Sequence, residues 1–268
     1  MTHVFRSLWV GTKLSPYEQM CLRSFIDHGH KFELYTYFSE LDVPSGVVVK
    51  NASDILPQSA CFSYAEGFGA GSFSGGSNLF RYNLLSRLGG WWVDTDVVCL
   101  SSEIPEYARF FAREDEDFVN GAVLYFEPGD VLIDACRSEA SAIGAQAKWG
   151  QIGPRLITKV ATEQGSIEEA QPSSVCYPVH WSEALRMLLP SWSGHNRRKV
   201  GDALFLHLWN EVFMQAKVSK TVLPPWNSLL RQVAIDHPVR GWDGEYEVDR
   251  DREDTDGLLA SMQARPLT

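Results

Sequence analysis

The chain has 268 residues, of which 44% are hydrophobic and 12% aromatic, and its formal charge is −10. That balance excludes a disordered polypeptide, and an acidic chain without a basic stripe argues against a nucleic-acid partner. The charge is uneven: Asp243 to Asp256 holds eight acids and two arginines, so it carries −6 and the remainder −4.

In chain order, Val4 to Val10 reads as a buried first strand. Ser15, Pro16 and Glu18 then spell a helix start, with a cap, a proline in the first turn and the glutamate of a capping box. Met20, Cys21, Leu22 and Phe25 give that helix an apolar stripe, and Gly29 ends it. Lys31 to Tyr37 alternates as a strand should, and Val47 to Val49 is another short strand. Glu66 to Ser77 is a Gly- and Ser-rich loop, long enough to act as a lid or to be a plain connector. Ser77 to Leu88 predicts a helix with Leu84, Leu85 and Leu88 on one face, stopped by Gly89 and Gly90. Trp91 to Val93 and Val97 to Leu100 are apolar strand segments. Phe118 to Phe126 is a strand with a break at Asn120-Gly121. Val131 to Ile143, capped by Asp130, is a helix, and another starts at Pro154. Arg197-Arg198-Lys199 reads as a solvated loop, and Ala203 to Trp209 as a late strand. Strands alternating with helices imply a mostly parallel sheet covered by helices, whose ligands bind beyond the C-terminal strand ends.

Cys21, Cys61, Cys99, Cys136 and Cys176 are odd in number and show no C-x-x-C spacing, so neither a disulfide framework nor a zinc site is expected. No signal-peptide pattern opens the chain, and no apolar run nears the roughly 18 residues of a membrane span. The expected organisation is one catalytic domain over residues 1–240, then an acidic tail over 241–268, exposed or partly disordered, in a cytoplasmic protein for which nothing in the sequence supports membrane association.

Four D-x-D tripeptides occur: Asp94 to Asp96, Asp115 to Asp117, Asp249 to Asp251 and Asp254 to Asp256. The last two lie in a run of acids, and the second lies in Arg113-Glu-Asp-Glu-Asp117; both contexts read as solvated charge. Asp94 and Asp96 instead sit between two apolar strand segments, where unpaired carboxylates are costly. A divalent cation such as Mg²⁺ or Mn²⁺ offsets that cost with the oxygen ligands it prefers. A structural pair with Arg81 or Arg87 is the alternative.

The string from Ser77 to Val97, SNLFRYNLLSRLGGWWVDTDV, resembles the DXD sugar-binding region of glycosyltransferase family 32, which includes α-1,4-galactosyltransferases, α-1,4-N-acetylglucosaminyltransferases and α-mannosyltransferases. Leu8 to Gly11, Trp149 to Val160, Cys176 to Trp181 and His207 to Asn210 resemble further blocks of that family in the same order; the chain after about Arg240 is not covered. The glucosylating clostridial toxins are more distant kin.

The resemblance implies a GT-A fold, a Rossmann-like α/β sheet for a nucleotide-diphospho-sugar. It implies a retaining glycosyltransferase in bacterial polysaccharide or lipopolysaccharide synthesis, with Mn²⁺ or Mg²⁺, a UDP-sugar or GDP-sugar donor and a glycan or lipid-linked acceptor. It further implies that Asp94, Asp96 and His207 hold the metal, with Thr95 in the donor site and Arg81 reaching the phosphates or locking Asp94. Trp9 would stack on the base beside Val10 and Gly11. Asn78 stands where the family often has an aspartate against the donor sugar, which leaves donor choice open. Asn120 and Gly121, and Gln151 and Gly153 at a helix N-terminus, are weaker sugar-site candidates. For Trp9 and His207 the alternative is core packing, and for Arg81 a structural ion pair. Retention by front-face attack is expected, with a covalent route through Glu127 or Asp130 as the alternative. The competing functions are a toxin-like protein glycosyltransferase and a non-catalytic sugar-nucleotide binding protein.

Overall fold

The computed structural model describes residues 2–248, 257, 259–260 and 262–266. Its strands are β1 (Val4–Trp9), β2 (Lys31–Thr36), β3 (Val47–Asn51), β4 (Gly90–Val93), β5 (Val97–Cys99), β6 (Arg109–Arg113), β7 (Val119–Phe126), β8 (Phe205–His207), β9 (Val222–Leu223), β10 (Gly244–Glu247) and β11 (Gln263–Arg265). Its α-helices are α1 (Pro16–Asp27), α2 (Ser74–Leu88), α3 (Val131–Ile143), α4 (Pro154–Glu163), α5 (Ser173–Cys176), α6 (Ser193–Val200), α7 (Asn210–Gln215) and α8 (Leu229–Asp236).

The central sheet has six strands in the order β3-β2-β1-β4-β7-β6. β1, β2, β3 and β4 pair in parallel, and β7 is antiparallel to both its neighbours. Five strands therefore run one way, as the alternation of strand and helix in the sequence predicts. Strand β4 shows how both faces are filled. Successive strand side chains point to opposite faces, so Trp91 and Val93 join one core with Phe5, Phe25 and Phe205, while Trp92 joins the other with Phe80, Leu84 and Leu124.

Helix α1 begins as its sequence dictates. Ser15 and Glu18 form the reciprocal capping box, and Gly29 at φ 81° turns the chain out of the helix. Asp130 caps α3 by accepting from the Leu132 N–H at 2.9 Å. Helix α2 starts three residues earlier than Ser77. Its first turn contains Gly75 and Gly76, residues that disfavour helix, because the backbone of Phe62 passes so close: a Cβ at Gly76 would lie 2.5 Å from the Phe62 carbonyl oxygen. Leu84 and Leu85 are buried as expected, but Leu88 at the last turn is exposed. Strand β7 runs unbroken from Val119 to Phe126; the break expected at Asn120-Gly121 shows as a register shift against β6. Arg197, Arg198 and Lys199 lie on helix α6, not in a loop, and Lys199 pairs with Glu183.

All five cysteines are free and buried. Among the described residues no helix is long and apolar enough to cross a membrane. At the acidic end, Gly244 to Glu247 forms β10, paired with β9 and β11, and Tyr246 is buried. The two D-x-D tripeptides at 249–251 and 254–256 lie outside the described residues.

Replacing Gly76 by Ala forces the α2 start away from Phe62. Denaturant unfolding should register a loss of about 1–3 kcal/mol, the usual range for overpacking, whereas Leu88→Ala at the exposed end should cost well under 1 kcal/mol.

Candidate active site

The Asp94–Asp96 segment is a tight turn between two sheets. β4 ends at Val93, the Asp94 N–H adds one further bond to the Ala122 carbonyl (2.8 Å), and the Val97 N–H donates back to the Asp94 carbonyl (3.1 Å). The chain then enters β5, which pairs antiparallel with β8 so that Val97 stands opposite His207. Topology thus brings His207 to the two carboxylates across more than a hundred residues of sequence.

Asp94 is gripped from one side. Arg81 Nη2 (2.8 Å) and Trp92 Nε1 (2.9 Å) both donate to its Oδ1. Arg81 is itself buried, its Nη1 donates to the Gly121 carbonyl, and its guanidinium lies 5.1 Å from the Trp92 ring centroid. Gly121 must be glycine here, since a Cβ would sit 2.5 Å from Arg81 Nη1.

Asp96 is held by the other partner strand. His207 Nε2 lies 3.2 Å from its Oδ1, and the Asn210 N–H donates to its Oδ2 at 2.9 Å. That amide is aimed by Trp209, whose φ of 62° is unusual for a bulky residue and costs on the order of 1–3 kcal/mol. Trp209 Nε1 donates to the Val179 carbonyl at 2.9 Å. Behind this, Asn210 Nδ2 donates to Glu18 (2.8 Å), and the fully buried Glu18 also pairs with Lys220. The capping-box glutamate of α1 is therefore part of the scaffold under Asp96.

Burial pushes the Asp96 pKa up, but the imidazolium of His207 and the Asn210 amide outweigh it and hold the carboxyl below its ordinary range. Burial likewise depresses the His207 pKa, and Asp96, with Asp94 and Glu114 further off, raises it above the ordinary value.

Asp94, Asp96 and His207 each offer one ligand atom, all within 4.8 Å of one another. Two carboxylates and an imidazole fit Mn²⁺ or Mg²⁺ by donor chemistry. His207 Nε2 faces the Asp96 carboxylate, and its Nδ1 is buried without a hydrogen-bond partner. Glu114, Asp115 and His180 form a second group of the same span. There Asp115 Oδ1 already accepts from the Asp117 and Phe118 amides, both at 2.9 Å, so the D-x-D at 115–117 shapes the β6–β7 turn.

A cavity of about 1010 Å³ opens over this turn. Trp9, Val10, Asn78, Arg81, Asp94, Thr95, Asp96, Asn120, Gly121 and His207 all line it. Gly11, Gln151 and Gly153 do not, and each has a supporting place instead. A Cβ at Gly11 would come within 3.1 Å of Trp9 Nε1, so glycine gives the indole room. Gln151 Oε1 accepts from the Lys148 N–H at 2.9 Å, inside the turn before α4. A Cβ at Gly153 would lie 2.9 Å from Asn78 Nδ2, so glycine lets α4 approach that amide. Asn120 explains the irregular β7: its Oδ1 accepts the Ala122 N–H (2.7 Å) and its Nδ2 donates to Glu114.

Glu127 and Asp130 take no part in the cavity lining. β7 runs antiparallel, so its end pairs with Gly90, at the opposite end of β4 from Asp94. Glu127 accepts from the Tyr125 hydroxyl, and Asp130 pairs with Arg109. Several lining residues were not singled out as site residues in the sequence: Tyr64, Phe68, Glu114, Trp149, Trp181 and Leu185. Trp149 and Trp181 fall in motif-like strings, but only the fold shows that both face one cavity. The Gly/Ser-rich loop reaches it through Phe68, Ser72 and Phe73. Backbone bonds of Tyr64 to Ser72 (3.0 Å) and of Gly71 to Tyr64 (2.9 Å) close its base.

No model of a known protein family matches this chain. Curated proteins do. The chain is 24% identical over 146 residues to "Lactosylceramide 4-alpha-galactosyltransferase" of Mus musculus, covering 50% of this chain and 40% of that protein. It is 24% identical over 177 residues to "Alpha-1,4-N-acetylglucosaminyltransferase" of Homo sapiens, covering 61% of this chain and 50% of that protein. The chain thus spans half or less of the length of these two relatives. Among solved structures, "PaToxG Glycosyltransferase" gives a TM-score of 0.46 at 14% identity, over 75% of this chain and 79% of that one. A structure of a transferase mutant gives 0.36 at 9% identity, over 59% and 84%.

The raised His207 and lowered Asp96 set opposite ends of a pH window in the metal-free protein. The histidine contribution is full below its unfolded value of about 6.5 and is lost as pH rises through its higher folded value; the aspartate contribution is full above about 3.9 and is lost as pH falls through its lower folded value. The melting-temperature gap between wild type and His207→Gln should therefore peak between about pH 4 and 6.5 and shrink by about pH 9. Added Mn²⁺ should protect in the reverse sense, more at pH 8 than at pH 6, because it competes with the His207 proton.

Proposed function

We propose that this protein is a metal-dependent, retaining glycosyltransferase of the GT-A type. In this reading it moves a sugar from a nucleoside diphosphate donor, UDP-sugar before GDP-sugar, to a glycan or lipid-linked saccharide in bacterial polysaccharide or lipopolysaccharide synthesis. The observation that carries the reading is the convergence of Asp94, Asp96 and His207 in a cavity whose lining holds one arginine and no lysine, Arg81 being already committed to Asp94 and Gly121. A diphosphate leaving group needs more positive charge than that. The names of the two relatives, both sugar transferases, support the same class.

A divalent cation held by Asp94, Asp96 and His207 would supply Lewis-acid neutralisation of the departing diphosphate. The side chains do the rest. Arg81 and Trp92 keep Asp94 in one orientation, and Asn210 and His207 do so for Asp96. Trp9, at the end of β1 with its Nε1 buried and unpartnered, offers an aromatic wall to the base. Asn78 and Asn120 present amides to sugar hydroxyls. With Glu127 and Asp130 elsewhere, the favoured route is front-face attack. The acceptor oxygen bonds to the anomeric carbon on the face the diphosphate leaves, and its proton passes to a diphosphate oxygen.

A thermal-shift panel of UDP-, GDP- and CDP-sugars with and without Mn²⁺ should show one donor stabilising the protein only when metal is added. Hydrolysis of that donor should fall by at least about a thousandfold in Asp96→Ala, with the variant still folded by circular dichroism. Wild-type hydrolysis of every sugar nucleotide by the variant would overturn the assignment.

A further inference from the structure

One wall of the cavity has no part in the metal cluster or the base site. It is a 3-10 stretch, Trp181 to Leu188, packed against α7, which begins at Asn210, three residues after His207. Its first residue, Trp181, lines the cavity yet leaves 45% of its surface exposed, and Leu185, one turn on, lines the cavity beside it. The stretch is anchored from behind. His180 caps it by accepting from the Ser182 N–H and bonds the Ser182 hydroxyl at 2.7 Å, while Glu183 pairs with Arg186 and Lys199. The Trp181 indole is thus a half-exposed aromatic face on a fixed backbone.

Glu114 lines the same cavity and lies near His180, the residue before Trp181. One of its carboxylate oxygens lies within 4.8 Å of a ring nitrogen of His180. Asn120 Nδ2 donates to Glu114 Oε2, which orients the carboxylate while Oε1 makes no hydrogen bond among the described residues. An aromatic face sharing a cavity with an oriented, half-engaged carboxylate suits a sugar ring: the C–H face packs on the indole and ring hydroxyls donate to the free oxygen.

The charges select further. Besides Arg81 and His207, which are engaged by Asp94 and Asp96, the charged lining residues are Glu114 and Glu211, both acidic. No uncommitted cation lines the cavity to receive a carboxylate or phosphate on the acceptor, and two acids would repel one. We infer that Trp181 and Glu114 form the acceptor subsite, and that the acceptor ends in an uncharged sugar rather than an anionic one. This rests on the transferase reading above and adds its acceptor.

The test uses the donor found by the thermal-shift panel. Neutral p-nitrophenyl glycosides (galactoside, glucoside, mannoside and lactoside) are compared as acceptors with p-nitrophenyl glucuronide and galacturonide. At least one neutral glycoside should exceed the matching uronide in kcat/KM by about tenfold or more. Trp181→Ala should raise the acceptor KM by about tenfold while the donor KM changes by less than about threefold; Trp181→Phe, which keeps a ring, should recover most of the acceptor affinity. Glu114→Gln should narrow the gap between neutral and uronide acceptors. A uronide preference, no transfer to any neutral glycoside, or an unchanged acceptor KM in a folded Trp181→Ala would overturn the subsite. If wild type hydrolyses no donor at all, the transferase reading fails first and the subsite falls with it.

Discussion

Two carboxylates one residue apart in a partly buried turn repel each other and lose water, and the rest of the site exists to make that tolerable. Asp94 is stabilised by Arg81 and the Trp92 indole, Asp96 by His207 and the Asn210 amide. Each stabilising group comes from a different part of the chain: α2, β4, β8 and the start of α7. The turn is therefore a junction, and the fold is organised so that these elements meet there.

The consequences reach outward. Holding the Asn210 amide toward Asp96 puts Trp209 in a left-handed conformation, and the Trp209 side chain is tied down at Val179. Placing Arg81 against Asp94 requires a glycine at 121, where the β6–β7 register also slips. The Asn210 side chain is in turn fixed by Glu18, a carboxylate that also closes the capping box of α1. Local helix chemistry and site chemistry share that one residue. The same geometry leaves the cavity short of free positive charge, a condition under which a divalent cation would have work to do and an anionic acceptor would be disfavoured.

Much of this was legible in sequence where local physics decides. Ser15, Pro16 and Glu18 predict the start of α1, and Asp130 the start of α3, because caps act within one turn. The Gly-Gly stop before Trp91 and the contrast between the D-x-D at 94–96 and those in acidic runs singled out the turn. What sequence hid was non-local. Gly75 and Gly76 sit inside α2 because Phe62 passes there, a contact invisible to helix propensity. Glu127 and Asp130 seemed available as nucleophiles until the antiparallel run of β7 placed them at the far end of the sheet. Gln151 and Gly153 sit in the turn before α4 that their sequence implies, but they lie outside the cavity lining, where Gly153 makes space for Asn78. Trp181 and Glu114, far apart in the chain, are brought to one cavity by the fold, with His180 close to Glu114.

The arrangement of Asp94, Asp96 and His207 calls for a single divalent cation held by all three. Titration of Mn²⁺ into the metal-free protein, with the free ion followed by electron paramagnetic resonance, measures this without reference to any sugar. The account predicts one Mn²⁺ bound per chain, with affinity falling by at least about tenfold in both Asp96→Asn and His207→Gln. Equal binding by wild type and both variants would contradict it.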